Sequence, residues 1–310
     1  AQKLYQSSLD GLCSELCEFD WREDLVVQAG RAEAVRQGFV PQAVARAAER
    51  RRVDPLETAG SLPIEPQRLD REGAEILFGT GLDARERAPE TISATAAILD
   101  HLGCDWTALS VEGDPGLDLW ELGYDEAASG AAAHFSAAVA RLGPARIVTG
   151  SSRVARALRE PLPASIAVDA EVEHLSEFLA ARVSAPEDAG ATGEATYGVV
   201  AYHDPCSLGR RLGVYDDPRS VIEKITGVAP AEFFHSRGEA ECCGDGGLLP
   251  ETDASLAGRM AAAQLARLPE GVDTLVTACP GCKAQLAGSA GSDVTVVDLS
   301  ELVADRLGLS

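Results

Sequence analysis

The sequence predicts an α/β protein with two similar lobes in tandem, each a parallel sheet with crossover helices, behind a small helical region. Three observations lead there. From Glu75 onward, short apolar runs alternate with stretches of helical spacing, and that alternation implies parallel strands joined by helices. The order of elements then repeats after about 125 residues, a period that fits two domain-sized copies and not a solenoid of short units. Between the copies, Val183 to Thr196 is made mostly of Ala, Gly, Pro, Glu and Asp and reads as a linker.

Residues 1–72 read as helical. Trp21 to Gln37 and Pro41 to Arg52 place apolar residues at helical spacing, and Asp54-Pro55 and Ser61-Leu62-Pro63 break the pattern. Residues 73–190 form the first lobe. Its strands are Ile76-Leu77-Phe78, Trp106 to Leu109, Ile147-Val148 and Ile166-Ala167-Val168; its helices are Pro89 to Leu102, Asp125 to Leu142, Ser152 to Arg159 and Ala170 to Arg182. Residues 191–310 repeat the order. Strands Val199 to Tyr202, Glu232-Phe233-Phe234, Thr274 to Val276 and Val294 to Val297 alternate with helices Pro218 to Thr226, Asp253 to Leu268, one opening at Cys279, and Leu299 to Leu307. Leu82-Asp83-Ala84-Arg85 aligns with Ser207-Leu208-Gly209-Arg210. Ala167-Val168-Asp169 aligns with Val296-Val297-Asp298, and Glu173-His174-Leu175 with Ser300-Glu301-Leu302.

A net charge of -22 argues against nucleic acid and anionic membrane surfaces as partners, because both select basic patches. Lysine occurs only at Lys3, Lys224 and Lys283, against 24 arginines. No run reaches the roughly 18 apolar residues of a membrane-spanning helix. Ala1 to Asp20 lacks a basic stretch followed by an apolar one, so no secretory signal is expected. The expected compartment is therefore the reducing cytoplasm. There, clustered cysteines serve metals or redox chemistry more often than structural disulfides.

Five of the eight cysteines fall in the second lobe, as Cys206, Cys242-Cys243-Gly244 and Cys279-Pro280-Gly281-Cys282. Each follows a predicted strand. Loops at the carboxyl edge of a parallel sheet converge on one site, so three loops can bring five thiols together. Cys279-Pro280-Gly281-Cys282 opens a helix, whose free N–H groups favour thiolates. Three uses compete. Disulfides leave one cysteine unpaired, and the adjacent Cys242 and Cys243 pair poorly. Zinc needs four ligands and can take four of these five. An iron–sulfur centre uses thiolates throughout and is the favoured reading.

The same residues carry a resemblance. Cys206, Cys242-Cys243-Gly244 and Cys279-Pro280-Gly281-Cys282 resemble the cysteine-rich CCG domain of heterodisulfide reductase catalytic subunits. The iron–sulfur subunits of glycolate oxidase, anaerobic glycerol-3-phosphate dehydrogenase and lactate-utilisation systems share that domain. His203-Asp204-Pro205-Cys206-Ser207-Leu208-Gly209-Arg210 is also similar, with Ser207 where a His is usual. The resemblance covers Glu75 to Leu309 as a tandem pair. It implies a [4Fe–4S] cluster, noncubane where five thiolates hold it, on Cys206, Cys242, Cys243, Cys279 and Cys282; zinc is the alternative. In the first lobe the repeat places Gly81 opposite Cys206, Asp114-Pro115-Gly116 opposite Cys-Cys-Gly, and Ser151 and Val154 opposite Cys279 and Cys282. One cluster is expected, not two.

Ser7-x2-Asp10-x2-Cys13-x3-Cys17 resembles the end of a ferredoxin cysteine motif with its first two cysteines and its proline replaced. Cys13 and Cys17 are one helical turn apart and are equally readable as core residues. Cys104 aligns with an apolar position and reads as structural. His203, three residues before Cys206, is the candidate acid, hydrogen-bond donor or ligand; His235 is a weaker one, and His101, His134 and His174 read as structural. Arg210, Arg211 and Arg237 are candidates for balancing an anionic cluster or substrate. Cys243-Gly244-Asp245-Gly246-Gly247 lacks either phosphate-loop pattern, and no flavin or nicotinamide fingerprint occurs. The expectation is an iron–sulfur subunit of an oxidoreductase complex, with flavin on a partner. It would relay electrons between a flavoprotein, or another iron–sulfur subunit, and a disulfide, quinone or other acceptor. Any membrane association would be peripheral, through a partner. A zinc-bearing scaffold subunit of such a complex is the alternative.

Overall fold

A computed structural model describes residues 2–19, 21–52, 62–162, 168–184 and 198–309. Most of the expected linker, the breaks at Asp54-Pro55 and Ser61, and the predicted strand residues Ile166 and Ala167 lie outside the described residues. The N-terminal region holds α1 (Leu12–Glu15), α2 (Glu23–Arg36) and α3 (Gln42–Arg52). The first lobe follows as β1 (Ile76–Gly79), α4 (Leu82–Arg87), α5 (Pro89–His101), β2 (Trp106–Ala108), α6 (Leu117–Glu121), α7 (Asp125–Leu142), β3 (Arg146–Thr149), α8 (Ser152–Arg159), β4 (Glu171–His174) and α9 (Leu175–Ala180). The second is β5 (Val199–His203), α10 (Gly209–Leu212), α11 (Asp216–Thr226), β6 (Ala231–Glu232), α12 (Leu249–Thr252), α13 (Ala254–Leu265), β7 (Val272–Thr277), α14 (Pro280–Ala287), β8 (Thr295–Asp298) and α15 (Leu299–Arg306).

Each lobe is a four-stranded sheet, ordered β2-β1-β3-β4 and β6-β5-β7-β8, and every strand pair is parallel. The expected α/β class with two like lobes holds. In both sheets the order reverses between the first and third strands, so their carboxyl ends flank the crevice where open parallel sheets bind ligands. The lobes pack by exchanging equivalent helices: α5 lies on α15, and α11 lies on α9. One apolar core runs through both, from Phe78, Trp106 and Phe178 to Tyr202, Ile222 and Leu302. Burying a large side chain of this kind contributes about 1.5–3 kcal/mol, which favours keeping the lobes together.

The structure corrects the fourth strand of the first lobe. Glu171–His174, expected within a helix, is β4, and α9 begins only at Leu175. The repeat explains it. His174 caps α9 in a capping box with Glu177, as Asp298 caps α15 with Glu301. His174-Leu175-Ser176-Glu177 is thus the partner of Asp298-Leu299-Ser300-Glu301, five residues beyond the alignment read from the apolar run at Val168.

Candidate metal centre

Two strand ends and one long loop build the site. β5 ends at His203 and β7 at Thr277, whose hydroxyl donates to the His203 carbonyl at 3.3 Å. The turn after β5 is fixed by Asp204. Its carboxylate accepts two Arg219 N–H bonds at 2.8 and 2.7 Å and the Arg237 backbone N–H at 2.8 Å, a bidentate pairing that sets orientation as well as distance. Cys206 follows. After β7, Cys279 stands extended as N-cap of α14, with Pro280 in the first turn, where its missing N–H loses no bond. Cys282 is one turn on.

The Cys242-Cys243-Gly244 loop approaches the backbone of α13. Gly244 has φ +95°, and a Cβ there would lie 2.5 Å from the Ala257 carbonyl oxygen. Glycine alone fits this site. Its counterpart Gly116 has φ +104°, and a Cβ would lie 2.9 Å from the Ala128 carbonyl of α7. The lobes therefore align at this glycine as the sequence repeat has it.

The five cysteines meet in one apolar cluster with Ala201, Leu275 and Leu286. Cys242, Cys243, Cys279 and Cys282 are buried, Cys206 is half-buried, and none is in a disulfide. Cys243 Sγ lies 3.2 Å from Cys282 Sγ, and the Gly244 N–H donates to Cys242 Sγ at 3.4 Å. Hydrogen bonding to Cys242, together with burial, holds the Cys206 thiol well above its usual range. Hydrogen bonds to Cys243 and Cys279, then burial, do the same to Cys282. Cys243, accepting from Cys242 and Cys282, is drawn down to about 7. Cys206, Cys243, Cys279 and Cys282 line one small pocket. Unpaired buried thiols facing one another have the chemistry of a candidate metal-ligand set.

His203 lies beside two of the thiols. One of its ring nitrogens comes with Cys243 and Cys282 within a mutual 4.8 Å, the one such metal-competent group among the described residues. Burial lowers its pKa to about 4, so the ring is neutral. Gln264 Nε2 lies 3.4 Å from His203 Nδ1, and the buried Nε2 has no partner. A buried, unsatisfied polar atom beside thiols fits a site built around a further group. The donor set thus fits either an iron–sulfur cluster or a zinc ion.

The first lobe fills its equivalent positions with helix caps. The Asp114 carboxylate accepts from the Gly116, Asp118 and Leu119 N–H groups at 3.0, 3.3 and 3.0 Å. Burial, with Asp118 beside it, raises its pKa to about 7. Ser151 caps α8 by accepting the Val154 N–H, and Val154 is buried. Pairing of Gly79 with Thr149 and of His203 with Thr277 places Leu82, next to Gly81, opposite Cys206. No position offers a thiol.

Other candidates resolve differently. Cys13 is exposed and Cys17 half-buried, outside the pocket. Ser7 Oγ accepts the Leu9 N–H at 3.2 Å and Asp10 Oδ1 the Leu12 N–H at 2.9 Å, so both shape a turn. That turn is a strap: Ser8 and Leu9 line the thiol cavity, and a Cβ on Gly246 would strike the Ser8 carbonyl. Arg210 and Arg211 hold the strap, and the Arg210 charge also acts on Cys206. Arg210 donates to the Asp10, Gly238 and Ala240 carbonyls, and Arg211 to Asp24 and the Leu9 carbonyl. Arg237 pairs with Asp216 and His235 with Glu239 at the surface. Cys104 packs half-buried on the core, His101 and His134 are exposed, and His174 is the N-cap described above. Sequence reasoning missed Glu121, Arg153 and Arg156, which line the cavity from the first lobe. Arg153 pairs with Asp118 and Glu121, and Arg156 with Glu121 and Glu160.

Residues 200–287 match the family model of the cysteine-rich domain CCG. The match falls within the second lobe and takes in all five of its cysteines. The chain is 28% identical to a subunit of the dihydromethanophenazine:CoB–CoM heterodisulfide reductase of Methanosarcina barkeri, covering 97% of this chain and 77% of that protein. It is 33% identical to a subunit of the fumarate reductase (CoM/CoB) of Methanothermobacter marburgensis over 44% of this chain and 27% of that one. A similarity to glutamate racemase isoform RacE1 of Bacillus anthracis covers 77% of this chain and 81% of that one, at 13% identity and a TM-score of 0.37, too low to bear on function. Among the described residues no helix is long and apolar enough to cross a membrane.

Proposed function

We propose that this chain is an iron–sulfur subunit of an oxidoreductase complex. Cys206, Cys242, Cys243, Cys279 and Cys282 would hold one [4Fe–4S] cluster, of noncubane type if all five ligate. When bound, the cluster supplies a one-electron store whose potential follows its ligands, neighbouring charge and hydrogen bonds. The rest is done by the protein's own residues. The strap and the Arg153–Glu121–Arg156 network exclude water, Asp204 and Arg219 fix the Cys206 turn, and His203 Nε2, left to carry the ring proton, serves as a donor toward sulfur. The carrying observation is the convergence of five unpaired thiols at the crevice of one sheet, while the same positions in the other sheet hold caps.

The heterodisulfide and fumarate reductase relatives are reductase subunits, which supports a place in a multi-subunit complex; a reducing, cytoplasmic compartment is part of the proposal because it keeps such thiols unpaired. The enclosed thiols favour relay between a flavoprotein partner and a disulfide, quinone or other acceptor over binding a substrate in the pocket. Residues 1–72 serve as a helical cover, 73–190 as the thiol-free lobe and 191–310 as the cluster lobe. The cover exposes Leu16, Phe19 and Trp21 beside Glu15 and Glu18, a face suited to a redox partner with an apolar patch and basic rim. Zinc is the second reading, favoured by the closeness of His203, Cys243 and Cys282. Serine replacements at each cysteine test the assignment. Iron is expected to fall at all five proposed ligand positions and to be unchanged at Cys13, Cys17 and Cys104; full iron in the Cys242 and Cys243 variants would refute it.

A further inference from the structure

Helix α4 begins where the first lobe's own first cysteine would stand, yet its side chains reach the cysteine segments of the other lobe. Asp83 Oδ2 accepts the Gly281 N–H at 3.3 Å and lies 3.9 Å from Cys279 Sγ. The Ser151 hydroxyl, itself in the position equivalent to Cys279, lies 3.0 Å from the same oxygen. Arg87 forms an ion pair with Asp245, two residues beyond Cys243, and its Nη2 reaches Gln285 Oε1 of α14 at 3.4 Å. Two side chains one turn apart thus touch both the Cys242-Cys243 loop and the helix carrying Cys279 and Cys282.

We infer that α4 clamps the ligand segments of the neighbouring lobe, with Asp83 and Arg87 as positioning residues, and that Asp83 adds a fixed negative charge beside Cys279. The inference rests on the proposed function and goes beyond it: the lobe without thiols sets the geometry and potential of the lobe that has them. Groups that orient a ligand or place charge next to it change metal retention and reduction potential. Burial, opposed by the Ser151 hydrogen bond, raises the Asp83 carboxyl to about 6, with Asp245 and Asp118 adding to the rise and Arg153 opposing it. Arg153 is shared with Asp118 and Glu121, and the Asp83 charge also acts on Arg87.

The test uses the full chain, loaded with iron anaerobically and titrated potentiometrically at pH 8. Asp83→Asn keeps an acceptor for Gly281 and removes the charge. It is expected to retain iron and move the reduction equilibrium toward the reduced form about tenfold, which is about 59 mV for a one-electron couple. Arg87→Ala is expected to surrender iron to a chelator several-fold faster than wild type, and Arg87→Lys to recover part of the difference. A wild-type potential in Asp83→Asn together with wild-type iron retention in Arg87→Ala would overturn the inference. A wild-type chain that takes up no iron sinks the cluster reading and leaves the clamp to be read in the metal-free protein. There Asp83→Ala and Arg87→Ala must speed alkylation of Cys279 and Cys282 several-fold while Cys13 stays unchanged. Unaltered rates would end it.

Discussion

Replacing Gly244 with alanine separates the demands of the fold from those of the metal site. A Cβ at this position would sit 2.5 Å from the Ala257 carbonyl oxygen, with φ at +95°. Holding a non-glycine residue in that conformation costs on the order of 1–3 kcal/mol, and the contact is nearly 1 Å inside the ordinary limit, so α13 or the loop must move as well. The sum is about 3 kcal/mol. With a urea slope of about 3 kcal/mol/M, the midpoint falls by about 1 M, and iron content falls with it because Cys242 and Cys243 move. Gly116→Ala is the matched control. It meets the same strain, against Ala128 at 2.9 Å, so stability should drop by about 2 kcal/mol while iron stays. Gly258, in α13 with nothing within 4 Å of a Cβ, should instead gain up to about 1 kcal/mol as alanine. A Gly244→Ala protein with the wild-type midpoint and full iron would refute the reasoning.

His174 gives a pH dependence. Its Nδ1 accepts the Ser176 N–H at 3.1 Å, so Nε2 donates to the Gly150 carbonyl at 3.1 Å, and burial lowers its pKa to about 4. The unfolded chain takes up the proton first, so stability is complete above about pH 6.5 and is lost as pH falls toward 4. The loss is on the order of 3 kcal/mol; His174→Asn should flatten that part of the urea midpoint–pH curve, and an unchanged slope contradicts the assignment. Arg31 is buried and donates to the Leu4, Glu121 and Ser7 carbonyls at 3.0, 2.8 and 2.6 Å. Arg31→Met should cost about 3 kcal/mol and quicken thiol modification as the strap loosens, whereas protected thiols would show that the strap is held elsewhere.

The alternation of apolar runs and helical spacing located most elements, because crossover units bury strands on both faces. It failed at β4. That strand lies at the edge of its sheet, and Glu171, Val172 and Glu173 are not buried, so no apolar run marks it. The better signal was the repeated capping box at His174 and Asp298. The five cysteines were legible because thiols at strand ends have few other uses. Their surroundings were not, because the strap, Asp83, Arg87 and the Arg153–Glu121 network come from segments far away in sequence. Arg210 and Arg211 showed the limit from the other side: proximity in sequence suggested charge balance, whereas their hydrogen bonds to the Asp10 and Leu9 carbonyls and the Arg211–Asp24 pair, which hold the strap, were not legible.

The central claim is that the second lobe alone holds one iron–sulfur cluster. Metal and sulfide analysis of the anaerobically purified chain, with its visible spectrum, tests it most directly. The account predicts about four irons per chain, matching labile sulfide and a broad brown absorbance. A colourless protein with one zinc per chain and no labile sulfide would contradict it.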